Sequence, residues 1–184
     1  MAEFVTIPKE LPPRLKMDYE QKIPKTIWQT FKTNQVPAIM KDYVDSWITK
    51  NPEYEYRFYD DEDVKDFLSS NFPEFYTGFN KIKFGASKSD LWRYLIIYKY
   101  GGVYADIDCL CVNPLRQWID SSSMYVTQLG TNKDICQWLL MSIPGNPIFL
   151  KAAERSLENI NNNQSKASYY GFKFINNEIL ISID

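Results

Sequence analysis

Between Ala86 and Asp108 the chain reads A-S-K-S-D-L-W-R-Y-L-I-I-Y-K-Y-G-G-V-Y-A-D-I-D, and no other stretch restricts the possible folds as strongly. Leu91, Trp92, Tyr94, Leu95, Ile96, Ile97 and Tyr98 leave almost no polar side on a helix from about Lys88 to Tyr100. Such a helix has to be buried among other elements. Gly101-Gly102 ends it, because glycine enters the left-handed backbone region without steric cost. Val103 to Asp108 then reads as a strand. A buried helix that feeds a strand calls for a layered α/β architecture.

The rest of the chain fits that class. Residues 1–22 hold Pro8, Pro12 and Pro13 among charges and read as an extended leader over the surface. Lys25 to Phe31 is the first strand, and Pro37 opens a helix through Ile39, Met40, Tyr43, Val44 and Trp47 that Asn51-Pro52 stops. Tyr54 to Tyr59 alternates aromatic and charged residues as a half-buried strand, and Asp60 or Asp61 caps the helix that follows. Phe72 to Phe79 is a short helical piece, Met124 to Leu129 a strand, and Ile135 to Ser142 ambiguous. Pro147 to Ile160 is an amphipathic helix, Asn161 to Asn163 a loop, and Glu178 to Ile183 a final strand. Residues 23–184 are therefore expected to form one domain behind the leader.

Composition removes several kinds of chemistry. The chain has no histidine, so Ser-His and Cys-His nucleophiles and histidine-rich metal sites are excluded. A net charge of −2 without a basic block lacks the footprint of a nucleic-acid binder. Three cysteines (Cys109, Cys111 and Cys136) are too few and too uneven for a disulfide framework, which favours a reducing compartment. No apolar run approaches bilayer length and the N-terminus shows no signal-peptide core, so a cytoplasmic setting is expected.

What remains is oxygen chemistry, and the strand 103–108 concentrates it. Side chains alternate across a strand, so Val103, Ala105 and Ile107 face the core while Tyr104, Asp106 and Asp108 share the other side. Same-side neighbours lie roughly 6.6 to 7 Å apart. Two carboxylates converging from that distance repel unless a cation lies between them, and a hard divalent ion so held keeps sites free for phosphate oxygens. The plain alternative is a polar strand end, since D-x-D alone is a weak signal. A second one, Asp61-x-Asp63, reads as solvated charge at a helix start. Asp90 and Arg93 interrupt the apolar helix one turn apart. Either Ser87 caps the helix and the two pair with each other, or both face a ligand: Asp90 a ribose or sugar hydroxyl, Arg93 a sugar or diphosphate. Cys109 and Cys111 share the parity of the core residues and read as small core side chains.

The run S-D-L-W-R-Y-L-I-I-Y-K-Y-G-G-V-Y-A-D-I-D resembles the signature of family 32 glycosyltransferases, which carry a D-x-D sugar-binding region. Yeast Golgi mannosyltransferases and the glucosyltransferase domains of clostridial toxins share it. I-P-K-T-I-W-Q-T-F-K from Ile23 and N-P-E-Y-E-Y-R from Asn51 are similar to that family's first two strands. W-L-L-M-S-I-P-G-N-P-I-F from Trp138 resembles the segment after its metal site, so the likeness covers residues 23–150.

The resemblance implies a GT-A-like, Rossmann-type fold with a mixed, mostly parallel central sheet flanked by helices. It implies retaining transfer of a hexose from GDP-mannose or a UDP-hexose to a saccharide or glycan acceptor, with Mn²⁺ or Mg²⁺ as cofactor. By position, Asp106 would contact the ribose or the metal and Asp108 would ligate the metal. Asp90 and Arg93 would contact the donor sugar, Tyr104 would lie near the nucleotide, and Trp28, Gln29 or Phe31 would line the base pocket. Of these three, Phe31 aligns best with the family's stacking aromatic. The family often has histidine where Trp28 stands, and its Golgi members carry an N-terminal anchor. It also continues into a T-G-P-like segment that nothing here matches, which implies either a domain cut short at its C-terminal side or a short version with an incomplete site. The competing reading is a binding module for nucleotide sugar or carbohydrate that has lost transfer. A third is a structural α/β domain with an incidental acidic strand end.

Overall fold

A computed structural model describes residues 3–129 and 135–162, with side chains omitted at 127–129 and 135. The first leader strand, β1 (Phe4–Thr6), pairs antiparallel with β4 (Gln35–Pro37). The second, β2 (Glu10–Leu11), joins the edge of the main sheet. The leader is thus extended, as its prolines imply, but it is tied down by strand pairing rather than lying loose on the surface.

The main sheet contains β2, β5 (Glu55–Tyr59), β3 (Thr26–Thr30), β6 (Gly102–Ala105), β8 (Ile135–Ser142) and β7 (Tyr125–Leu129), in that spatial order. β3 runs parallel to β5 and to β6, and the flanking pairs are antiparallel. The stretch left ambiguous by its periodicity, 135–142, is therefore a strand. Covered on both faces, it reads as a continuous apolar run that could equally be a helix. The expected final strand 178–183 lies outside the described residues.

Strand alternation builds two cores. Trp28, Tyr104 and Leu140 point into one, which is filled by α2 (Asp61–Asn71), α3 (Pro73–Lys81), α4 (Gly85–Tyr100) and α5 (Pro147–Asn161). Ile27, Val103, Ala105, Leu139 and Met141 point into the other, beneath Val44 and Trp47 of α1 (Ala38–Lys50). Asp60 caps α2 by accepting from the backbone N–H groups of Glu62 and Asp63, while Asp63 accepts in return from Asp60 N–H. The second D-x-D motif is thus helix-start chemistry, as its position suggests.

Two boundaries differ from expectation in ways that matter for the site. Helix α4 starts at Gly85 with Phe84 at its N-cap and no side-chain cap, so Ser87 lies inside the first turn and does not cap. Strand β6 stops at Ala105 and does not reach Asp108. Cys109 N–H donates to Asp106 C=O at 3.1 Å, turning the chain before a fifth residue can join the ladder.

The glycine doublet performs the stop. Gly101 has φ +64° and Gly102 φ +95°. A Cβ on Gly102 would stand 2.7 Å from Thr26 O, and one on Gly101 2.7 Å from Ser142 O. Gly102→Ala therefore combines a strained backbone with a clash against main-chain atoms that cannot swing away. Its unfolding free energy in urea should fall by at least about 1 to 3 kcal/mol. A loss below about 0.5 kcal/mol, the range of an ordinary surface change, would contradict this.

Candidate active site

The carboxyl end of β6 leads straight into the acidic turn, and the turn's backbone is pinned from three sides. Asp106 N–H donates to Trp138 C=O at 2.9 Å. Asp106 C=O receives Cys109 N–H and also the Gln29 side-chain amide, at 3.3 Å. On its open side lies a depression of about 410 Å³ lined by Asp106, Asp108, Cys109, Leu110 and Trp138. Asp106 is partly buried and Asp108 is exposed.

Among the described residues the Asp106 carboxylate is held at one oxygen only. Its Oδ1 accepts the Tyr104 hydroxyl and lies 3.4 Å from Arg93 Nη2. Arg93 is 5% exposed and spends its donors on protein. Nη2 also meets Asp90 Oδ1 at 2.8 Å, Nη1 donates to Gln137 C=O at 2.6 Å, and Nε donates to Ser89 C=O at 3.4 Å. The guanidinium stands 4.7 Å from the Tyr104 ring centre, a cation–π contact. Burial alone would lower the Arg93 pKa, but Tyr104, Asp90 and Asp106 together raise it, so the cation is secure. Burial keeps the Tyr104 phenol protonated, as the donor to Asp106 must be, although Arg93 acts the other way. Burial, then Asp106 and Asp108, push the Cys109 thiol up to about 12.

Five of the expected residues are therefore brought together: Asp90, Arg93, Tyr104, Asp106 and Asp108. The ion pair that was one alternative for Asp90 and Arg93 does form, and the same guanidinium reaches Asp106 as well. Three others sit elsewhere. Trp28 is 6% exposed and sends its indole N–H to Gly101 C=O at 2.8 Å, stacked on Tyr100, away from the depression. Gln29 has no exposed surface and supports the turn from behind, with the Tyr56 hydroxyl on its Oε1 at 3.0 Å. Phe31 is half-buried just past the carboxyl end of β3. Of the cysteines expected in the core, Cys111 is buried, whereas Cys109 lines the depression.

Sequence reasoning missed Trp138, Leu110 and Gln137. They come from β8 and from the loop after β6, and only the β6–β8 pairing brings Trp138 to the turn.

The residues present suit a hard divalent cation. Among the described residues Asp106 Oδ2 and Asp108 Oδ2 have no hydrogen-bond partner, and Asp108 Oδ1 has only the Cys109 thiol, at 3.9 Å. No group of three or more histidine, cysteine or acidic side chains converges among the described residues, so two carboxylates would leave several ligand positions to water and substrate oxygens.

A family described as "Glycosyltransferase sugar-binding region containing DXD motif" matches residues 37–125, which include α4, β6 and the acidic turn. Inositol phosphoceramide mannosyltransferase 2 of Schizosaccharomyces pombe is 35% identical over 149 residues, 74% of this chain and 41% of that protein. The mannosyl phosphorylinositol ceramide synthase SUR1 of Saccharomyces cerevisiae is 33% identical over 134 residues, 72% of this chain and 34% of its own. The initiation-specific alpha-1,6-mannosyltransferase of Candida albicans is 27% identical over 172 residues, 78% of this chain and 45% of its own. The chain thus spans less than half the length of these relatives. The solved structure of the PaToxG glycosyltransferase superposes with a TM-score of 0.70 at 18% identity, over 89% of this chain and 71% of that one, and establishes a GT-A-like fold.

The cytoplasmic setting expected from composition does not stand, because the yeast relatives are mannosyltransferases of the Golgi lumen. That expectation leaned on sparse cysteines and on finding no signal-peptide core or bilayer-length run in a sequence that covers only part of those proteins. Among the described residues no helix is long and apolar enough to cross a membrane. In sequence the chain is similar to the family 32 glycosyltransferases, and it carries their DXD-containing sugar-binding region.

Proposed function

We propose that the chain moves a hexose, with retention, from a nucleotide sugar to a saccharide or glycan acceptor, using Mn²⁺ or Mg²⁺ held by Asp106 and Asp108. The observation that carries this reading is that both carboxylates border one depression at the carboxyl end of a sheet strand, where open α/β sheets bind ligands. GDP-mannose is the first donor to try, since the relatives named above are mannosyltransferases, with UDP-glucose, UDP-galactose and UDP-N-acetylhexosamines next.

A divalent ion bound there would supply Lewis-acid neutralisation of the diphosphate charge. The chain's own residues have separate tasks. Asp106 and Asp108 present oxygens to the ion. Tyr104 and Arg93 hold Asp106 at one oxygen and leave the other for ligation. Asp90 is the donor-sugar contact; Arg93, already spent on Asp90, Asp106 and main-chain carbonyls, fixes it in place, and Phe31 is the stacking ring for the base. With no histidine in the chain, the acceptor hydroxyl gives its proton to the departing phosphate oxygen, which suits retention.

The test is a panel of these nucleotide sugars, with and without Mn²⁺, followed by NMR of the released sugar or the transferred product. The expected result is metal-dependent cleavage of one donor, with the product's anomeric configuration retained. Saturable nucleotide-sugar binding without cleavage, even with acceptors supplied, would assign a binding module instead.

A further inference from the structure

We propose that Trp47 and Gln29 are positioning residues that set how tightly the acidic turn holds a divalent cation; this rests on the metal reading above. Asp108 is exposed, and among the described residues its carboxylate has one hydrogen-bond partner, the Cys109 thiol at 3.9 Å. Its placement is therefore inherited from the peptide backbone on either side. One carbonyl on each side, Asp106 C=O two residues before and Cys109 C=O one residue after, is gripped from the buried face of the sheet. The Trp47 indole N–H donates to Cys109 C=O at 2.8 Å, across 62 residues of sequence. The Gln29 amide donates to Asp106 C=O, and Tyr56 O–H fixes the orientation of that amide.

Trp47, Gln29 and Tyr56 are each 1% exposed or less, so none of them can touch a ligand. Helix α1 continues the grip downstream, where Ser46 Oγ accepts Cys111 N–H at 2.9 Å and Asn51 Oδ1 accepts Leu115 N–H at 2.7 Å. A core tryptophan needs some acceptor for its N–H. Here the acceptor is the carbonyl next to the exposed carboxylate, and a second buried donor holds the carbonyl on its other side. Outer-shell partners of this kind tune metal sites by roughly 10- to 100-fold in affinity.

The experiment measures Mn²⁺ affinity through the EPR signal of free Mn²⁺, in the presence of GDP or UDP, well below each variant's melting temperature. Trp47→Phe and Gln29→Met should each weaken Mn²⁺ binding by about 10- to 100-fold. Tyr56→Phe is the milder probe, removing only the hydroxyl that orients Gln29, and should move affinity the same way by a smaller factor. Tyr19→Phe is the control. It deletes a part-buried hydrogen bond to Glu53, before the start of β5, and should leave Mn²⁺ affinity unchanged. Folded Trp47, Gln29 and Tyr56 variants that bind Mn²⁺ like the parent would overturn the proposal and leave the metal reading intact. A parent chain that binds no Mn²⁺ would overturn both.

Discussion

Replacing Arg93 with methionine should destabilise the fold by about 3 to 5 kcal/mol, the cost of removing one partner from a buried ion pair. Arg93 is 5% exposed and lies against two carboxylates, Asp90 at 2.8 Å and Asp106 at 3.4 Å. Methionine keeps most of the volume, so the loss comes from charge and hydrogen bonding and not from a cavity. Gln137 C=O loses its donor at the same stroke, and the Tyr104 ring loses the cation over its face. Lysine cannot replace a fork that serves four acceptors at once, so Arg93→Lys should recover only part of the deficit. Urea unfolding of Arg93→Met, Asp106→Asn and the double variant measures the coupling. The double variant should be more stable than the sum of the single losses predicts, because removing Asp106's charge relieves part of the imbalance that Arg93 leaves. Strict additivity would show that the two are not linked.

Asp108→Asn should do the opposite: leave the fold intact and remove turnover. The side chain is exposed and outside the strand ladder, so the expected change in unfolding free energy is below about 0.5 kcal/mol. An amide ligates a hard cation through one neutral oxygen, whereas the carboxylate brings a charge to the site. The loss in metal-dependent kcat/KM should exceed the roughly 10- to 100-fold typical of outer-shell changes. It should not be rescued by raising the nucleotide-sugar concentration, because the deficit lies in charge stabilisation and not in donor binding. Asp106→Asn should differ in lowering stability as well, since Asp106 is tied to Tyr104 and Arg93. Near-normal turnover by Asp108→Asn would remove it from the site.

The parts of this arrangement that were legible beforehand are those governed by local rules. The apolar coat of α4, the positive-φ glycine stop and the alternation of Val103 and Ala105 against Tyr104 follow from helix burial, backbone sterics and strand period. Even Asp61-x-Asp63 reads correctly, because capping is decided within four residues. What stayed hidden depends on long-range pairing. That β6 ends at Ala105 follows from a turn closed by Cys109 and from β8 offering Trp138 C=O to Asp106, neither of which leaves a trace in the period of residues 103–108. Strand β8 lacks alternation because it is covered on both faces, and Trp138 became visible as a site residue only through its register with β6. Gln29 and Trp28 are adjacent on β3 and therefore point to opposite faces. One supports the acidic turn while the other is spent in the core, a division that the resemblance, which offered both for the base pocket, does not make.

The proposed chemistry depends on the acidic turn acting as a cradle for a doubly charged ion. Crystals soaked with Mn²⁺ and a nucleoside diphosphate, measured at a wavelength where manganese scatters anomalously, address this directly. The expected result is a single strong anomalous peak in the depression beside Trp138, within ligand distance of both Asp106 and Asp108, with diphosphate oxygens completing the shell. Nucleotide bound with no peak there, or with the two carboxylates turned away from each other, would contradict it.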